Sequence, residues 1–206
     1  MSKWAGKFVI GLTGNIGSGK SVVRQMLEKL GALGIDADAL SHEALMEGSP
    51  GYEAVVHLFG RSILDRKKAI NRKKLAEVVF NDPNGLQELE HIIHPLVEKG
   101  IDELIYASTQ TVIVVEAIKL IESGLSQQCD SLWVTTASPE IQQYRLMKFR
   151  HMDEKDAQQR MRAQAAQEQK TKLADVVINN NGSLSTTRQV VREAWEKYVK
   201  IPGENG

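Results

Sequence analysis

The segment Gly14-Asn15-Ile16-Gly17-Ser18-Gly19-Lys20-Ser21 constrains the fold of this chain more than any other stretch of it. Four residues separate Gly14 from Gly19, and a lysine and a hydroxyl side chain follow. Glycine at those positions lets the backbone curl so that successive N–H groups face one anion. A helix opening near Gly19 adds the positive end of its dipole. Lys20 is then placed to reach the β- and γ-phosphates of a nucleotide, and the Ser21 hydroxyl to ligate Mg2+. The flanks agree with this reading. Residues 7–12 have the pattern of a buried strand, and Val22, Val23, Met26, Leu27 and Leu30 follow at helical spacing. Gly31 is placed to close that helix in the C′ role.

Four further segments read as strands: residues 32–36, 111–116, 131–136 and 176–179. Helical patterns separate them, so the expected fold is α/β, a parallel sheet with both faces covered. Ligands of such sheets bind beyond the carboxyl ends of the strands. Asp38 is expected to cap a helix carrying Leu40, Ala44 and Leu45. Between residues 48 and 109 helical periodicity is broken by Gly48-Ser-Pro-Gly51, Asn81-Asp-Pro-Asn-Gly85 and His94-Pro95, with no convincing strand. His94-Pro95 reads as a kink or a helix start. Residues 139–169 are helical and locally basic, and a last amphipathic helix over 183–199 turns Val190, Val191, Ala194, Trp195 and Tyr198 inward. The organisation expected is a core of residues 1–47, 110–143 and 170–206, a helical substrate domain at 48–109 and a lid at 144–169.

Charge and cysteine content narrow the class. Lysines and arginines number 26 and aspartates and glutamates 26, so overall charge gives no reason to expect a nucleic acid or a membrane surface as partner. Anion recognition has to be local, and residues 61–74 supply seven basic side chains against one acid. The usual reading of such a run is a solvated helix face. A single cysteine, Cys129, rules out an intrachain disulfide and suits a reducing compartment, so a cytoplasmic location is expected. No apolar run approaches the ~18 residues a membrane span needs.

Asp36 and Asp38 follow a strand expected to lie beside the one that leads into the glycine loop, which would bring carboxylates toward the γ-phosphate. A carboxylate there takes or orients the proton of an acceptor hydroxyl, or else Asp38 serves only as a cap. Glu116 ends an apolar strand where many proteins with this loop carry an acid for metal-bound water.

Gly11-Leu-Thr-Gly-Asn-Ile-Gly-Ser-Gly-Lys-Ser21, Ile35-Asp-Ala-Asp38, Phe59-Gly60, Asn71-Arg72-Lys-Lys-Leu75, His94-Pro95, the segment from Arg145 to Arg150, that from Arg160 to Gln164, and Ala174-Asp-Val-Val-Ile-Asn-Asn-Asn-Gly182 follow one another along the chain. In these motifs and their order the chain resembles dephospho-CoA kinases. The resemblance implies a P-loop kinase core, a helical substrate domain and a mobile lid. It also implies ATP with Mg2+, a small-molecule acceptor, dephospho-CoA, and the final step of coenzyme A synthesis, with no obligatory protein partner. Residue by residue, it implies ATP contacts from residues 14–21 and from Asn181 and Gly182, and Mg2+ at Ser21. It makes Asp38 the base, with Lys20 and Arg150 as the other catalytic groups and Arg145 as substitute for Arg150. It puts Asp36, Arg72 and His94 on the acceptor side and pairs Arg160 with Gln164 in the lid. One segment departs from the family: Ala117-Ile-Lys119-Leu-Ile-Glu122 stands where Pro-Leu-Leu-Phe-Glu is usual. The alternatives are a nucleoside or nucleoside-monophosphate kinase, and a nucleotide-dependent switch without enzyme activity. Against the switch, the chain has no Asn-Lys-x-Asp guanine-reading segment.

Overall fold

The computed structural model describes residues 3–80 and 82–200. The chain runs through β1 (Phe8–Thr13), α1 (Lys20–Glu28), β2 (Leu33–Asp36), α2 (Ala37–Glu43), α3 (Pro50–Phe59), α4 (Arg72–Phe80) and α5 (Pro83–Ala107). It continues through β3 (Val112–Glu116), β4 (Ser131–Thr136), α6 (Pro139–Arg150), α7 (Glu154–Arg162), α8 (Gln167–Leu173), β5 (Val176–Asn179) and α9 (Leu184–Tyr198). The five strands form one sheet in the order β2-β3-β1-β4-β5, and every pairing is parallel. All residues of β1 and β3 are buried, as expected for strands covered on both faces. On one face Ile10, Leu12 and Val114 join Leu27 of α1 and Val191 and Ala194 of α9 in a common core.

Strand order corrects one expectation. β2 lies beside β3 and not beside β1, which carries the glycine loop; β3 stands between them, with Leu12 opposite Glu116 and Asp36 opposite Glu116 on its other side. The first helix does close on Gly31. That residue has φ +106, its N–H donates to Glu28 O at 3.0 Å, and the Ala32 N–H donates to Leu27 O at 3.2 Å. These two bonds satisfy the last carbonyls of the helix in a Schellman arrangement.

Two compact units divide the chain: one runs through Asp36 and resumes at Ser108, and the other is Ala37–Ala107. The helical insertion read at 48–109 thus occupies 37–107 as a compact unit. Residues 144–169, expected to act as a lid, fall in α6, α7 and α8 of the first unit, with His151 at φ 52 between α6 and α7. The ends of the expected core, residues 1–2 and 201–206, and Asn81 of the expected 81–85 turn lie outside the described residues.

In the helical unit the cap at Asp38 and the helix start at His94-Pro95 are not found, while the break at Gly48-Ser-Pro-Gly51 is. α2 begins at Ala37, directly after β2, so Asp38 sits inside its first turn and is not its cap; Ala44 and Leu45 fall in the turn after the helix. Gly48-Ser-Pro-Gly51 is a helix start, where Ser49 Oγ accepts from the Tyr52 N–H at 3.1 Å and Pro50 takes the first helical position. His94-Pro95 starts nothing, because α5 runs through it for 25 residues. Ile93, Val97, Ile101 and Ile105 repeat every four positions and are buried, and that stripe offsets the ladder bond Pro95 cannot donate.

Candidate active site

β1 ends at Thr13 and the glycine loop turns into α1 at Lys20. Gly14 has φ +149, and a Cβ there would run into the Thr135 carbonyl oxygen; Gly19 has φ +96, and a Cβ there would run into Asn180 Nδ2. No other residue type fits either position without displacing β4 or the turn after β5. Lys20 is 7% exposed and its Nζ donates to Gly14 O at 3.0 Å, which folds the ammonium back over the loop. The Ser21 hydroxyl donates to Glu116 Oε1 at 2.8 Å, while Arg24 Nε donates to Glu116 Oε2 at 2.7 Å. Burial works against the charge of Arg24, but Glu116 and Glu28 outweigh it and its pKa is raised. Glu116 thus stands at the end of β3 as a buried, paired carboxylate beside the residue expected to hold Mg2+.

The site fits a polyphosphate with a hard cation. Asn15 Oδ1, Ser18 Oγ and Thr135 Oγ1 are buried polar atoms without a hydrogen-bond partner, and all three belong to the loop or to the β4 end beside it. Such atoms call for a polar occupant or its water. Among the described residues no group of three or more His, Cys, Asp or Glu side chains gathers as a metal cage. One hydroxyl and one nearby carboxylate is the donor set Mg2+ accepts when phosphates and water complete its shell.

Behind the loop, Arg145 Nη1 donates to Gly17 O at 3.2 Å and to Ser18 O at 3.1 Å, and Asn180 Nδ2 donates to Ser18 O at 2.8 Å. Burial lowers the pKa of Arg145. The Ile16 N–H donates to Gln164 Oε1 at 2.7 Å and Asn15 Nδ2 to Ala165 O at 3.1 Å, so the α7–α8 connection rests on the loop's outer turn. Arg150 and Arg160 are exposed. Asn181 and Gly182 follow β5 on the surface, where Asn181 Oδ1 accepts from the Ser138 N–H at 2.7 Å. The segment that departs from the family pattern is fastened from two sides. Ile118 O accepts from Thr13 Oγ1 at 3.1 Å and from Lys170 Nζ at 2.6 Å, and Lys170 also pairs with Glu122 at 3.2 Å.

Asn180 and Lys170 escape a reading of the sequence. Asn180 stands inside the Asn-Asn-Asn-Gly run, and Lys170 sits among polar neighbours, yet they are 2% and 3% exposed. In the helical unit, Asp38 is partly buried in the first turn of α2. Arg72 opens α4, exposed, with Nη1 at 3.4 Å from His42 Nδ1, and His94 is partly buried in the middle of α5. Asp36 belongs to the sheet unit, at the end of β2. No helix among the described residues is long and apolar enough to cross a membrane.

Comparison with known proteins agrees with this geometry. A family model described as dephospho-CoA kinase matches residues 8–186. The dephospho-CoA kinase of Aquifex aeolicus is 43% identical over 194 residues, 94% of this chain and 98% of that protein. A Thermus thermophilus crystal structure superposes with a TM-score of 0.83 at 30% identity, covering 94% of this chain and 99% of that one. The dephospho-CoA kinase structure from Campylobacter jejuni gives 0.62 at 27% identity, with 91% and 95% covered. With a phosphate loop, a parallel sheet and a helical insertion in place, and with relatives alike over nearly their whole length, the chain belongs to the dephospho-CoA kinase family.

Proposed function

We propose that the protein transfers the γ-phosphoryl group of ATP to the ribose 3′-hydroxyl of dephospho-CoA, giving coenzyme A. The observation that carries the reading is the buried Lys20 ammonium held at the Gly14 carbonyl, one residue before a Ser21 hydroxyl paired with Glu116. That arrangement is a phosphate and cation site built before any ligand arrives, and the family membership supplies the acceptor.

In this reading the glycine loop, residues 14–21, and the N-terminus of α1 receive the phosphates. Lys20 exchanges Gly14 O for phosphate oxygens, so the loop offers its charge where negative charge builds up. Mg2+, when bound, supplies charge neutralisation on the phosphates, held by Ser21 Oγ with Glu116 in reach of its water. Asn181 and Gly182 face the adenine. Asp38 orients or takes the proton of the acceptor hydroxyl, with Asp36 beside it in sequence for a Mg2+-bound water. Arg72 and His94 hold the acceptor, the arginine through its planar fork on a phosphate. Residues 144–169 act as a lid that brings Arg150 to the transferring group and excludes water. A cytoplasmic location and action without an obligatory protein partner complete the proposal.

The test is a coupled assay of ADP release with dephospho-CoA beside AMP, CMP and a nucleoside. Turnover with dephospho-CoA alone is the expected result. Equal or faster turnover with AMP or CMP would make the protein a nucleoside-monophosphate kinase, and no turnover with any acceptor would overturn the enzyme reading.

A further inference from the structure

Arg145 and Asn180 lie behind the phosphate loop, and no step above uses them. Their contacts converge on one peptide. Ser18 O accepts from Arg145 Nη1 at 3.1 Å and from Asn180 Nδ2 at 2.8 Å, while Gly17 O accepts from Arg145 Nη1 at 3.2 Å. The two side chains also hold each other, because Arg145 Nη2 donates to Asn180 O at 2.7 Å. Asn180 is itself fixed: its N–H donates to Thr136 O at 2.8 Å, and its Oδ1 accepts from Thr187 Oγ1 at 2.8 Å, which turns Nδ2 toward Ser18.

A peptide unit is planar and trans, so a carbonyl pinned in one direction turns the next residue's N–H the opposite way. Among the described residues no peptide bond is cis. Ser18 O, pinned outward by two donors, therefore aims the Gly19 N–H into the loop. The neighbouring Ser18 N–H is engaged by Asn15 O at 3.1 Å, so the clamp's effect falls on Gly19. Gly19 is also where a Cβ would strike Asn180 Nδ2 and come within 3.5 Å of Arg145 Nη1, so the clamp requires a glycine there.

We propose that Arg145 and Asn180 are positioning residues that set the direction of the Gly19 N–H and hold the loop in its phosphate-binding form. This inference rests on the ATP reading above. It takes Arg145 off the transferring phosphoryl group, where it stood as substitute for Arg150, and puts it behind the loop. Because Asn180 directly precedes Asn181, the clamp also joins the segment assigned to adenine to the segment that receives the phosphates.

Calorimetry with inorganic tripolyphosphate and with ATP tests it on Asn180→Asp, which replaces the donor with an acceptor, and on Arg145→Ala. Steady-state kinetics and thermal unfolding accompany each variant. Expected is a loss of affinity of about tenfold or more for both polyphosphates. KM for ATP should rise in step, with KM for dephospho-CoA unchanged. Arg145→Lys, which keeps the charge and a donor but loses the fork, should fall between wild type and Arg145→Ala, and it is the decisive variant if Asn180→Asp does not fold. Wild type that binds both polyphosphates, with folded variants binding within about twofold of it, would overturn the clamp alone and leave a stabilising network. Wild type that binds neither would overturn the nucleotide reading and the clamp with it.

Discussion

The two compact units hold their functional side chains in opposite ways. In the sheet unit, Lys20, Ser21, Glu116 and Arg145 are each fixed by hydrogen bonds at 2.8 to 3.2 Å to the loop or to one another. In the helical unit, Arg72 is exposed and meets His42 at 3.4 Å, and its neighbours Lys73 and Lys74 are exposed as well. A site made largely of backbone and short side chains is set by the fold itself. A site made of long exposed cations orders only when contacts with a ligand offset the rotamer entropy that ordering costs. Phosphate binding should therefore survive damage to the helical unit, while acceptor binding should be sensitive to single side chains there.

The largest effect expected is on Asp38. Asp38→Asn keeps size and removes the charge, and loss of a positioned base costs about 10²- to 10⁴-fold in rate. Turnover should collapse with ATP affinity by calorimetry unchanged, which would separate the two units cleanly; an equal loss of ATP affinity would break the comparison. Asp36→Asn, in the sheet unit, should be milder or show itself in Mg2+ dependence. Next comes Lys20→Ala, for which removal of one preorganised charge costs about 10²- to 10³-fold in turnover. Thermal unfolding should shift far less than turnover, since the lysine's charge is offered to the phosphates and the loop's turn is set by its glycines.

Arg72→Ala should act on the acceptor side only. Loss of a charge-assisted hydrogen bond of about 1.5–3 kcal/mol corresponds to a roughly ten- to hundredfold higher KM for dephospho-CoA, with KM for ATP unmoved. Hydrogen exchange in residues 144–169 should slow when an ATP analogue and dephospho-CoA are both present, since closure excludes water. Unchanged exchange there would mean that these residues do not close over the bound substrates.

How much of this was legible follows from where each signal lies. The five strands read correctly because each is a short apolar run, and the phosphate loop because its glycines and lysine are contiguous. Strand order did not, because β2 pairs with β3 across residues distant in the chain, and nothing in either segment states the partner. The capping role of Asp38 failed because β2 feeds straight into α2. Of the two roles read for Pro95, the helix start failed because α5 continues through it on a four-residue apolar repeat. Asn180 and Lys170 were invisible because their polar atoms are satisfied 162 and 52 residues away, by Ser18 O and Ile118 O.

The smallest effect tests the firmness of the sheet unit. Cys129 lies under Gly11, and burial, with Asp130 adding to it, pushes its thiol up to about 12. A pKa raised above the usual thiol value leaves little thiolate at pH 8, so alkylation should run more than about a hundredfold slower than for a free cysteine. The rate should climb only as pH approaches the raised pKa. Fast labelling at pH 8 would mean that the thiol is held less tightly than its place under Gly11 implies.

Where the phosphoryl group lands is read from the product itself, by phosphorus NMR and mass spectrometry after reaction with ATP and Mg2+. A new phosphomonoester at the ribose 3′ position of dephospho-CoA, appearing one for one with ADP, is expected. Dephospho-CoA recovered unchanged while AMP or a nucleoside is phosphorylated would contradict it.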